Sequence, residues 1–334
     1  MAAMSAPEVS VVIPCKNRAR MLWDCFEGLA AQTLPRDRFE VVLVDNVSSD
    51  DLAGLCARAR AELGLAVTHE RMAEDRGPAP SRNRGVALAR APIIAFTDSD
   101  CRPEPGWLAA GLAAFDDPAV ALVSGPVLPK PGQPVRVTSK ITFVTEAEHP
   151  TFPTANAWYR RDLFLRLGGF DTALSFRDPF DRATEGADVD LAWMLIKAGH
   201  ARRFLPEARV AHEVEDQPLG LWLIEGTRLF ILPELVRRHP ELRRELLRAR
   251  LFFHPRGTAK VALAGALLAA SVSQPWLLAL PAAALVAHAV RRAGGIAPRV
   301  VGFHAAKACG DLVREAVVLL ALLYGSLRFR CVVL

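Results

Sequence analysis

Two aspartates separated by one serine, Asp98-Ser99-Asp100, are the residues of this chain best suited to chemistry. They follow an apolar run at 92–97 that predicts a buried strand. Two carboxylates at the end of a core strand can face one crevice, and Mg²⁺ or Mn²⁺ commonly binds carboxylate oxygens together with substrate phosphates. Short acidic turns are also common on protein surfaces, so the spacing of the triplet alone favours a solvated turn. The rest of the chain has to decide between the two interpretations.

Composition sets the size and class of the protein. The 334 residues predict one large or two smaller domains. Hydrophobic residues make up 51%, with the excess after residue 258, and the net charge is +5. The first eight residues lack an apolar segment behind a basic start, so we expect no secretory signal. The six cysteines show neither CxxC nor zinc-like spacing, so we expect reduced thiols that pack as small apolar groups.

Strand and helix signals alternate through the first half of the chain. Strands are predicted at 9–13, 39–44, 66–70 and 92–97, and helices at 18–31, 51–63 and 81–90, the last with Ser81 as its N-cap. This alternation predicts an α/β fold, a mostly parallel sheet with helices on both faces. Ligands of such sheets bind beyond the carboxyl ends of the strands. The segments 14–17, 45–46 and 98–100 lie at those ends, so we expect three polar clusters around one crevice.

Phosphate-binding glycine motifs are absent from this sequence. No GxGxxG follows the first predicted strand, and no GxxxxGK[ST] occurs, which argues against a dinucleotide site and against a P-loop. Substrate phosphates would instead be held by a metal ion, with help from Lys16 or Arg82.

The middle third predicts further regular elements. Residues 156–167 have helical spacing, 188–198 predict an amphipathic helix that ends at Gly199, and 203–210 predict a strand leading to His212.

Six segments match, in order, the motifs of a known family. They are SVVIPCKNR (10–18), VVLVDNVSSDD (41–51), SRNRG (81–85), IIAFTDSDC (93–101), LGGFD (167–171) and GADVDLAWMLIKAG (186–199), the last followed by VAH (210–212). Each motif alone is weak, but their shared order and spacing are specific. Over roughly residues 8–215 the chain resembles the inverting glycosyltransferases of family 2. The resemblance implies a Rossmann-like GT-A fold and sugar transfer from a nucleotide-sugar with a divalent cation, Mg²⁺ or Mn²⁺.

The resemblance also implies a nucleotide-sugar site. Asp45 would accept hydrogen bonds from the nucleobase, and Pro14 and Asn17 would shape the pocket of the base and ribose. Arg82 would lie near the phosphates or the base, and Asp98 would contact the ribose or the sugar. A strand-end turn remains the alternative for Asp45, and a surface position at a helix start remains the alternative for Arg82.

The metal ligands that the resemblance implies are Asp100 and His212. Asp100 would bind the cation directly. His212 corresponds to a later ligand of the metal or diphosphate that some members carry after the last core strand. A solvated loop histidine is the alternative for His212.

Asp188 is the predicted catalytic base. An inverting transfer needs a base near the acceptor hydroxyl, and a carboxylate within hydrogen-bond reach is the usual solution. The family usually carries Glu-Asp here, whereas this chain has Ala187-Asp188. Glu185 could take the place of the missing glutamate, while Asp190 points from a different face of the predicted helix. A carboxylate that interacts with the helix dipole is the alternative for Asp188, and it does not exclude catalysis.

The segment 237–256 is rich in arginine and has leucines near one helical face. This pattern predicts a basic amphipathic helix that can lie on an anionic membrane surface. A solvated basic helix and a nucleic-acid contact are the alternatives, and the apolar run that follows favours the membrane.

That apolar run spans 261–290 and is interrupted at Ser273-Gln274-Pro275. As helices, its halves would each be roughly 20–24 Å long, shorter than the bilayer core of about 30 Å. Basic residues flank both ends: Arg256, Lys260, Arg291 and Arg292. We expect a shallow or re-entrant hairpin with both ends on the cytoplasmic side, and the stretch 316–327 beside it. The alternative is a buried helical hairpin in a small second domain.

Together these features predict a glycosyltransferase domain at 1–220 and a helical, membrane-associated region at 221–334. The expected location is the cytoplasmic face of the membrane, and the expected acceptor is lipid-linked or a saccharide. Nucleotidyl transfer on the same fold and a non-catalytic, membrane-tethered binding protein are the alternatives. The region around Asp188 argues against the first, and the presence of Asp98, Asp100 and Asp188 argues against the second.

Overall fold

The computed structural model describes residues 6–134, 136, 138–140, 144–253 and 257–334, apart from the side chains of Leu278, Phe303 and Ala306. Arg256, one of the arginines of the predicted basic helix, therefore lies outside the described residues. The chain divides into two compact units. The first unit contains the residues up to 175 together with 185–217, and the second contains 176–184 and 218–334. A division after residue 220 assigns 176–184 to the first domain, whereas the structure groups this segment with the second unit.

The strands and helices follow one another along the chain as the alternation predicted. The strands are β1 (Val9–Cys15), β2 (Phe39–Asp45), β3 (Val67–Arg71), β4 (Ile93–Phe96), β5 (Cys101–Pro103), β6 (Val120–Ser124), β7 (Val127–Pro129), β8 (Ser139–Lys140), β9 (Ala157–Arg160), β10 (Ser175–Arg177), β11 (Ala183–Glu185), β12 (Ala201–Phe204), β13 (Val210–His212), β14 (Glu215–Asp216), β15 (Leu247–Arg248) and β16 (Phe252–Phe253). The helices are α1 (Ala19–Ala30), α2 (Leu52–Leu63), α3 (Pro78–Leu88), α4 (Trp107–Ala113), α5 (Arg161–Arg166), α6 (Ala187–Lys197), α7 (Leu219–Ile224), α8 (Leu232–Arg238), α9 (Leu242–Glu245), α10 (Thr258–Ala270), α11 (Ala279–Ala293) and α12 (Pro298–Phe329).

The first unit is built on a seven-stranded sheet in the order β12-β6-β9-β4-β1-β2-β3. β1 pairs in parallel with both β2 and β4, and β2 pairs in parallel with β3. β9 is antiparallel to its neighbours β4 and β6. The predicted α/β fold with a mostly parallel sheet is therefore confirmed. A smaller sheet in the order β5-β13-β7 follows the end of β4 and carries part of the candidate site.

Helices cover both faces of the central sheet. On one face, Val11 and Ile13 of β1 share a core with Leu22 and Phe26 of α1. On the other face lies α3, where Gly85 fits against Val12 of β1 and Val44 of β2, and a Cβ at residue 85 would clash with Val12. β1 and β2 are buried almost throughout because both of their faces are covered.

Three predicted elements differ from the structure. Helix α3 begins at Pro78 with Gly77 as its N-cap, not at Ser81, because Pro78 and Pro80 fit a first turn whose N–H groups need no helical partner. The helix predicted at 156–167 is β9 followed by the short α5. The strand predicted at 203–210 is interrupted at Pro206, which cannot donate a hydrogen bond, so β12 and β13 are separate.

The predicted basic amphipathic helix at 237–256 is wrong. Helix α8 ends at Arg238, and His239 has a non-helical backbone because Pro240 follows it. The chain then forms α9 and the antiparallel hairpin β15–β16, which turns through positive φ values at Ala249 and Arg250. Leucines assigned to the membrane-facing side, Leu242, Leu246 and Leu247, are buried.

The rest of the second unit is helical. The long helix α12 packs against α11, against α8 and against the 3₁₀ segment Glu225–Ile231. The predicted interruption of the apolar run is present, because α10 ends at Ala270 and a short 3₁₀ turn at Pro275–Leu278 precedes α11. Among the described residues, no helix combines the length and the apolar character needed to cross a membrane.

Helix α4 offers a matched test of core packing in the first unit. A Cβ at Gly111 would lie within 3 Å of the ring of the buried Trp158 on β9, whereas a Cβ at Gly106 would meet nothing within 4 Å. We expect Gly111→Ala to lower the free energy of unfolding by about 1–3 kcal/mol, because overpacking forces the ring or the helix to move. Gly106→Ala should change it by less than about 1 kcal/mol. Urea denaturation followed by tryptophan fluorescence measures both, and equal values for the two variants would contradict this packing.

Candidate functional site

The polar clusters named from the sequence lie at one edge of the central sheet. Cys15, the last residue of β1, is the register partner of Asp45, the last residue of β2. Asp98 and Asp100 follow β4, which pairs with the other side of β1. Because these three strands are parallel neighbours, their carboxyl ends place Pro14, Asp45 and the Asp98-Ser99-Asp100 triplet along the same crevice.

Asp45 is buried and forms two hydrogen bonds. Its Oδ1 accepts from the backbone N–H of Ser48 at 2.7 Å, and its Oδ2 accepts from Arg71 Nη1 at 2.6 Å. Arg71 is the register partner of Asp45 on β3 and also donates to the carbonyl of Ser48. The Asp45 carboxylate is thus fixed in place beside the half-exposed Arg71, which is not among the site residues predicted from the sequence.

Asn17 holds the loop after β2 against the end of β1. Its backbone is left-handed, with φ of 53°, a conformation that asparagine tolerates better than most residues. Its side-chain oxygen accepts from the N–H of Ser49 at 2.7 Å, and its own N–H donates to Ser48 Oγ at 3.1 Å. Asn17 therefore shapes this end of the crevice. The neighbouring Lys16 pairs with Asp75, with 2.5 Å between Nζ and Oδ2.

Arg82 lies between two carboxylates. It projects from α3, and its Nη2 donates to Asp98 Oδ1 at 2.6 Å while its Nη1 lies 3.8 Å from Glu185 Oε2. Arg82 is buried, and its Nε has no hydrogen-bond partner among the described residues. Burial is the largest influence on Asp98 and opposes its ionisation, but the charge and hydrogen bond of Arg82, together with His212 and Arg18, lower the pKa of Asp98. Asp98 and Glu185 likewise raise the pKa of Arg82. The pair is therefore ionised.

Asp188 lies in the first turn of α6, with Gly186 as the N-cap. Its Oδ1 accepts from the N–H of Val189 at 2.9 Å. Burial raises the pKa of Asp188 to about 6, since the nearby Arg82 charge offsets the loss of solvent only in part and Glu185 opposes it. A carboxyl group with this pKa can take up and release a proton near neutral pH. Both interpretations made from the sequence, helix N-terminus and general base, are compatible with this position.

Asp100 and His212 come together through strand pairing. His212 on β13 is the register partner of Cys101 on β5, and the N–H of Glu213 donates to the carbonyl of Asp100 at 2.9 Å. Asp100, Cys101 and His212 are buried, and one potential ligand atom from each lies within 4.8 Å of the others. His212 Nε2 is 3.6 Å from Asp100 Oδ1.

The surroundings of His212 fit a metal ligand. Its Nδ1 lies 2.8 Å from the carbonyl oxygen of Glu213, and a carbonyl can only accept, so Nδ1 carries the proton. Nε2 is therefore the ring nitrogen left to bind a metal ion, and it faces Asp100, an arrangement usual for metal-bound histidine. One carboxylate and one imidazole suit Mn²⁺ and related cations, with diphosphate oxygens and water as the remaining ligands. These residues could hold the divalent cation expected from the sequence.

Arg18 is the cation paired with Asp100 in this structure. Its Nη1 contacts Asp100 Oδ2, and its Nη2 lies 3.0 Å from Glu215 Oε1. Arg18 and Glu215 are not among the residues predicted from the sequence to form the site. Arg18 was visible within the SVVIPCKNR motif, but Glu215 reaches this place only because β13 and β14 fold back beside β5.

The architecture matches solved glycosyltransferases. The mannosyltransferase PcManGT from Pyrobaculum calidifontis, solved with GDP-Man and Mn²⁺, superposes with a TM-score of 0.62 and 24% identity over 94% of this chain and 87% of that one. TarS 1–349 from S. aureus, solved with UDP, gives a TM-score of 0.50 and 18% identity over 96% of this chain and 91% of that one. The fold of the present chain is thus that of the GT-A glycosyltransferases.

Sequence relatives define the class further. The family model described as glycosyl transferase family 2 matches residues 10–178, about half of the chain, and the chain belongs to this family. A pre-mycofactocin glycosyltransferase from Mycobacterium tuberculosis is 31% identical over 228 residues, which are 63% of this chain but only 43% of that protein. Glycosyltransferase AglE from Haloferax volcanii is 28% identical over 224 residues, which are 64% of this chain and 69% of that protein.

Proposed function

We propose that this glycosyltransferase moves a sugar from a nucleotide-diphosphate-sugar to a hydroxyl or phosphate of an acceptor, with inversion at the anomeric carbon. We further propose that it requires a divalent cation and works at the cytoplasmic face of the membrane. The observation that carries the catalytic proposal is Asp188, a carboxyl group with a pKa of about 6 at the start of α6, beside the Arg82–Asp98 pair.

The transfer is a single displacement. The acceptor oxygen attacks the anomeric carbon as the bond from that carbon to the diphosphate oxygen breaks, and the nucleoside diphosphate leaves. Asp188 takes the proton of the acceptor hydroxyl, which is within the capacity of a carboxylate above pH 6. Asp98, held by Arg82, contacts the ribose or the sugar, and Asp45 accepts a hydrogen bond from the base. No covalent enzyme intermediate is needed, because inversion requires one displacement.

Asp100 and His212 hold the cation, Mg²⁺ or Mn²⁺. When bound, it stabilises the negative charge that develops on the leaving diphosphate. The PcManGT complex, which contains Mn²⁺, supports this part of the proposal. Arg18 pairs with Asp100, so a cation bound by this carboxylate would compete with the Arg18 guanidinium for its oxygens.

The membrane proposal has its support in the second unit. Residues 261–290 contain no Asp, Glu, Lys or Arg. Large apolar side chains in and beside the turn between α10 and α11 are exposed, among them Val272 at 88% and Trp276 at 64%. Exposed apolar surface of this extent marks an interaction site. Cationic residues lie at the other ends of the two helices, Lys260 in the first turn of α10 and Arg291 and Arg292 in the last turn of α11, where they suit anionic lipid headgroups. A membrane location suggests a lipid-linked acceptor, and a saccharide precursor of the cell surface fits equally.

Asp188→Asn tests the catalytic base. We expect release of nucleoside diphosphate from UDP-glucose or GDP-mannose to fall by roughly 10² to 10⁴, because the amide keeps the shape of the carboxylate but cannot take a proton. Wild-type activity should fall about tenfold per pH unit below pH 6, where Asp188 becomes protonated.

The raised pKa of Asp188 also predicts how Asp188→Asn affects stability, and this prediction provides a control for folding. A carboxyl group whose pKa is raised in the folded state lowers the stability of that state once it ionises, so above pH 6 the folded protein carries a destabilising charge. Asp188→Asn should therefore melt no lower than wild type at pH 8. Asp162→Asn, at an exposed pair on α5, should keep full activity. Turnover near the wild-type level in Asp188→Asn would exclude Asp188 as the base.

Metal dependence is tested by calorimetry with UDP and GDP. We expect binding with Mn²⁺ to be at least about tenfold tighter than with chelator, because no glycine-rich loop is present to hold the diphosphate. Asp100→Asn and His212→Ala should each remove most of this difference, and Asp116→Asn, at an exposed position, should keep it. Equal affinity with and without the metal ion would refute the cation site.

Membrane binding is tested by flotation of the full chain with vesicles of phosphatidylcholine and phosphatidylglycerol. We expect the wild type to float and to stay bound in about 1 M NaCl, where charge attraction is screened. The double variant Val272→Glu, Trp276→Glu should bind more than about tenfold more weakly, because burial of each large apolar side chain contributes about 1.5–3 kcal/mol.

Leu165→Glu provides the matched control, since Leu165 is an exposed apolar residue on α5 of the first unit. This variant should float like wild type. A wild-type chain that stays unbound and forms a defined oligomer, dispersed by the double substitution, would show that the apolar turn binds a second copy of the chain and not a lipid surface.

A further inference from the structure

Glu185 connects three parts of the first unit. Its Oε1 accepts hydrogen bonds from the N–H of Ala79 at 3.1 Å and from Ser175 Oγ at 3.2 Å, and its Oε2 faces Arg82 Nη1 at 3.8 Å. The side chain is only 17% exposed. A single carboxylate thus holds the first turn of α3, the first residue of β10 and the guanidinium group beside the candidate catalytic residue.

The start of α3 is fitted to this carboxylate. Gly77, the N-cap, has φ of 85°, and a Cβ at this position would come within 3.1 Å of Glu185 Oε1. Helix N-termini favour negative charge, since their first N–H groups have no helical acceptor. The N–H of Ala79 is one of these groups, so Glu185 supplies from β11 the acceptor that the N-cap glycine lacks.

Arg82 depends on Glu185 for the balance of its charge. The guanidinium has Asp98 at 2.6 Å on one side and Glu185 at 3.8 Å on the other. The charged and titratable groups that act on Asp188 are Arg82 from α3, Glu185 from β11 and Tyr159 from β9. Glu185 and Asp98 share the positive charge of Arg82, which otherwise would stabilise the ionised form of Asp188 and weaken it as a base.

We infer that Glu185 is a positioning residue for the transfer reaction: it anchors Arg82 and the start of α3 so that Asp188 remains free of an ion pair and basic enough to accept a proton. Position 187 is alanine, and the carboxylate that acts on Asp188 comes from position 185. This inference rests on the proposed role of Asp188, and it concerns a residue that acts through Arg82 and not on the substrate.

Glu185→Gln is the direct test. The amide oxygen can still accept from Ala79 and Ser175, while the negative charge toward Arg82 is removed. The donor is chosen from UDP-glucose, UDP-N-acetylglucosamine and GDP-mannose as the one that gives the largest thermal shift with Mn²⁺. With this donor, we expect kcat for diphosphate release to fall roughly tenfold. The acidic limb of the kcat profile should move to lower pH by roughly half a unit to one unit, because Asp188 is then more easily ionised. The Kd for UDP or GDP with Mn²⁺ should stay within about threefold.

Two further variants keep the test decisive. Glu185→Asp keeps the charge but withdraws it from Arg82, and it should shift the same limb in the same direction by a smaller amount, which provides the measurement if Glu185→Gln folds poorly. Glu70→Gln is the matched control, because Glu70 pairs with Arg84 on the exposed side of the same helix, with 2.6 Å between Oε1 and Nη2. Its profile should coincide with that of wild type.

The outcomes separate this inference from the proposed function. If Asp188→Asn retains turnover, the base is elsewhere and the proposed mechanism fails. If Asp188→Asn is inactive while Glu185→Gln keeps the wild-type profile, Glu185 has no positioning role. A loss of kcat in Glu185→Gln without movement of the acidic limb would reduce Glu185 to a structural contact and overturn the inference.

Discussion

The buried guanidinium of Arg82 is the constraint on which the candidate active site depends. A charge removed from water must be paired, and loss of one partner from a buried pair typically costs about 3–5 kcal/mol. Asp98 supplies the close partner and Glu185 the second. Because Arg82 lies on α3, Asp98 follows β4 and Glu185 ends β11, this charge balance fixes the distances between the elements that flank the crevice. Asp188 lies three residues after Glu185, in the first turn of α6, so the placement of Glu185 also positions Asp188.

The register of paired strands positions the two candidate ligands of the cation site. His212 is 112 residues beyond Asp100 in the numbering, yet the antiparallel pairing of β13 with β5 puts it opposite Cys101. The carbonyl oxygen of Glu213 accepts a hydrogen bond from His212 Nδ1, which leaves Nε2 directed at Asp100. A ladder of backbone hydrogen bonds is harder to displace than a loop, so the two candidate ligands are positioned before a cation arrives. Arg18 can leave Asp100 without disturbing this arrangement, because it lies on the separate segment after β1.

The strands and helices of the first half could be predicted from the sequence because each is indicated by residues that are neighbours in the chain. The apolar run at 41–44 is typical of a strand with two covered faces, and polar residues directly after such a strand lie at the edge of the sheet. The sequence failed where proline or a turn overrides periodicity, as at Pro240, where the leucines of a supposed amphipathic helix are core residues of α9 and β15. Arg71 could have been found by assuming that β2 and β3 pair in parallel. The contact of Glu185 with Ala79, 106 residues apart, required the tertiary structure.

The two halves of the site place carboxylates in opposite environments, and the proposed chemistry requires this difference. A metal ligand has to present its oxygens to a cation, and Asp100 lies beside the Arg18 guanidinium and the His212 ring. A base has to accept a proton in the transition state, and burial raises the pKa of Asp188 to about 6, because Arg82 is already shared by two other carboxylates. Two carboxyl groups in one crevice can therefore take different roles, and the residues around each group determine which role it has. Glu185 matters for this reason: without its charge, Arg82 would favour the ionised form of Asp188 and the two environments would converge.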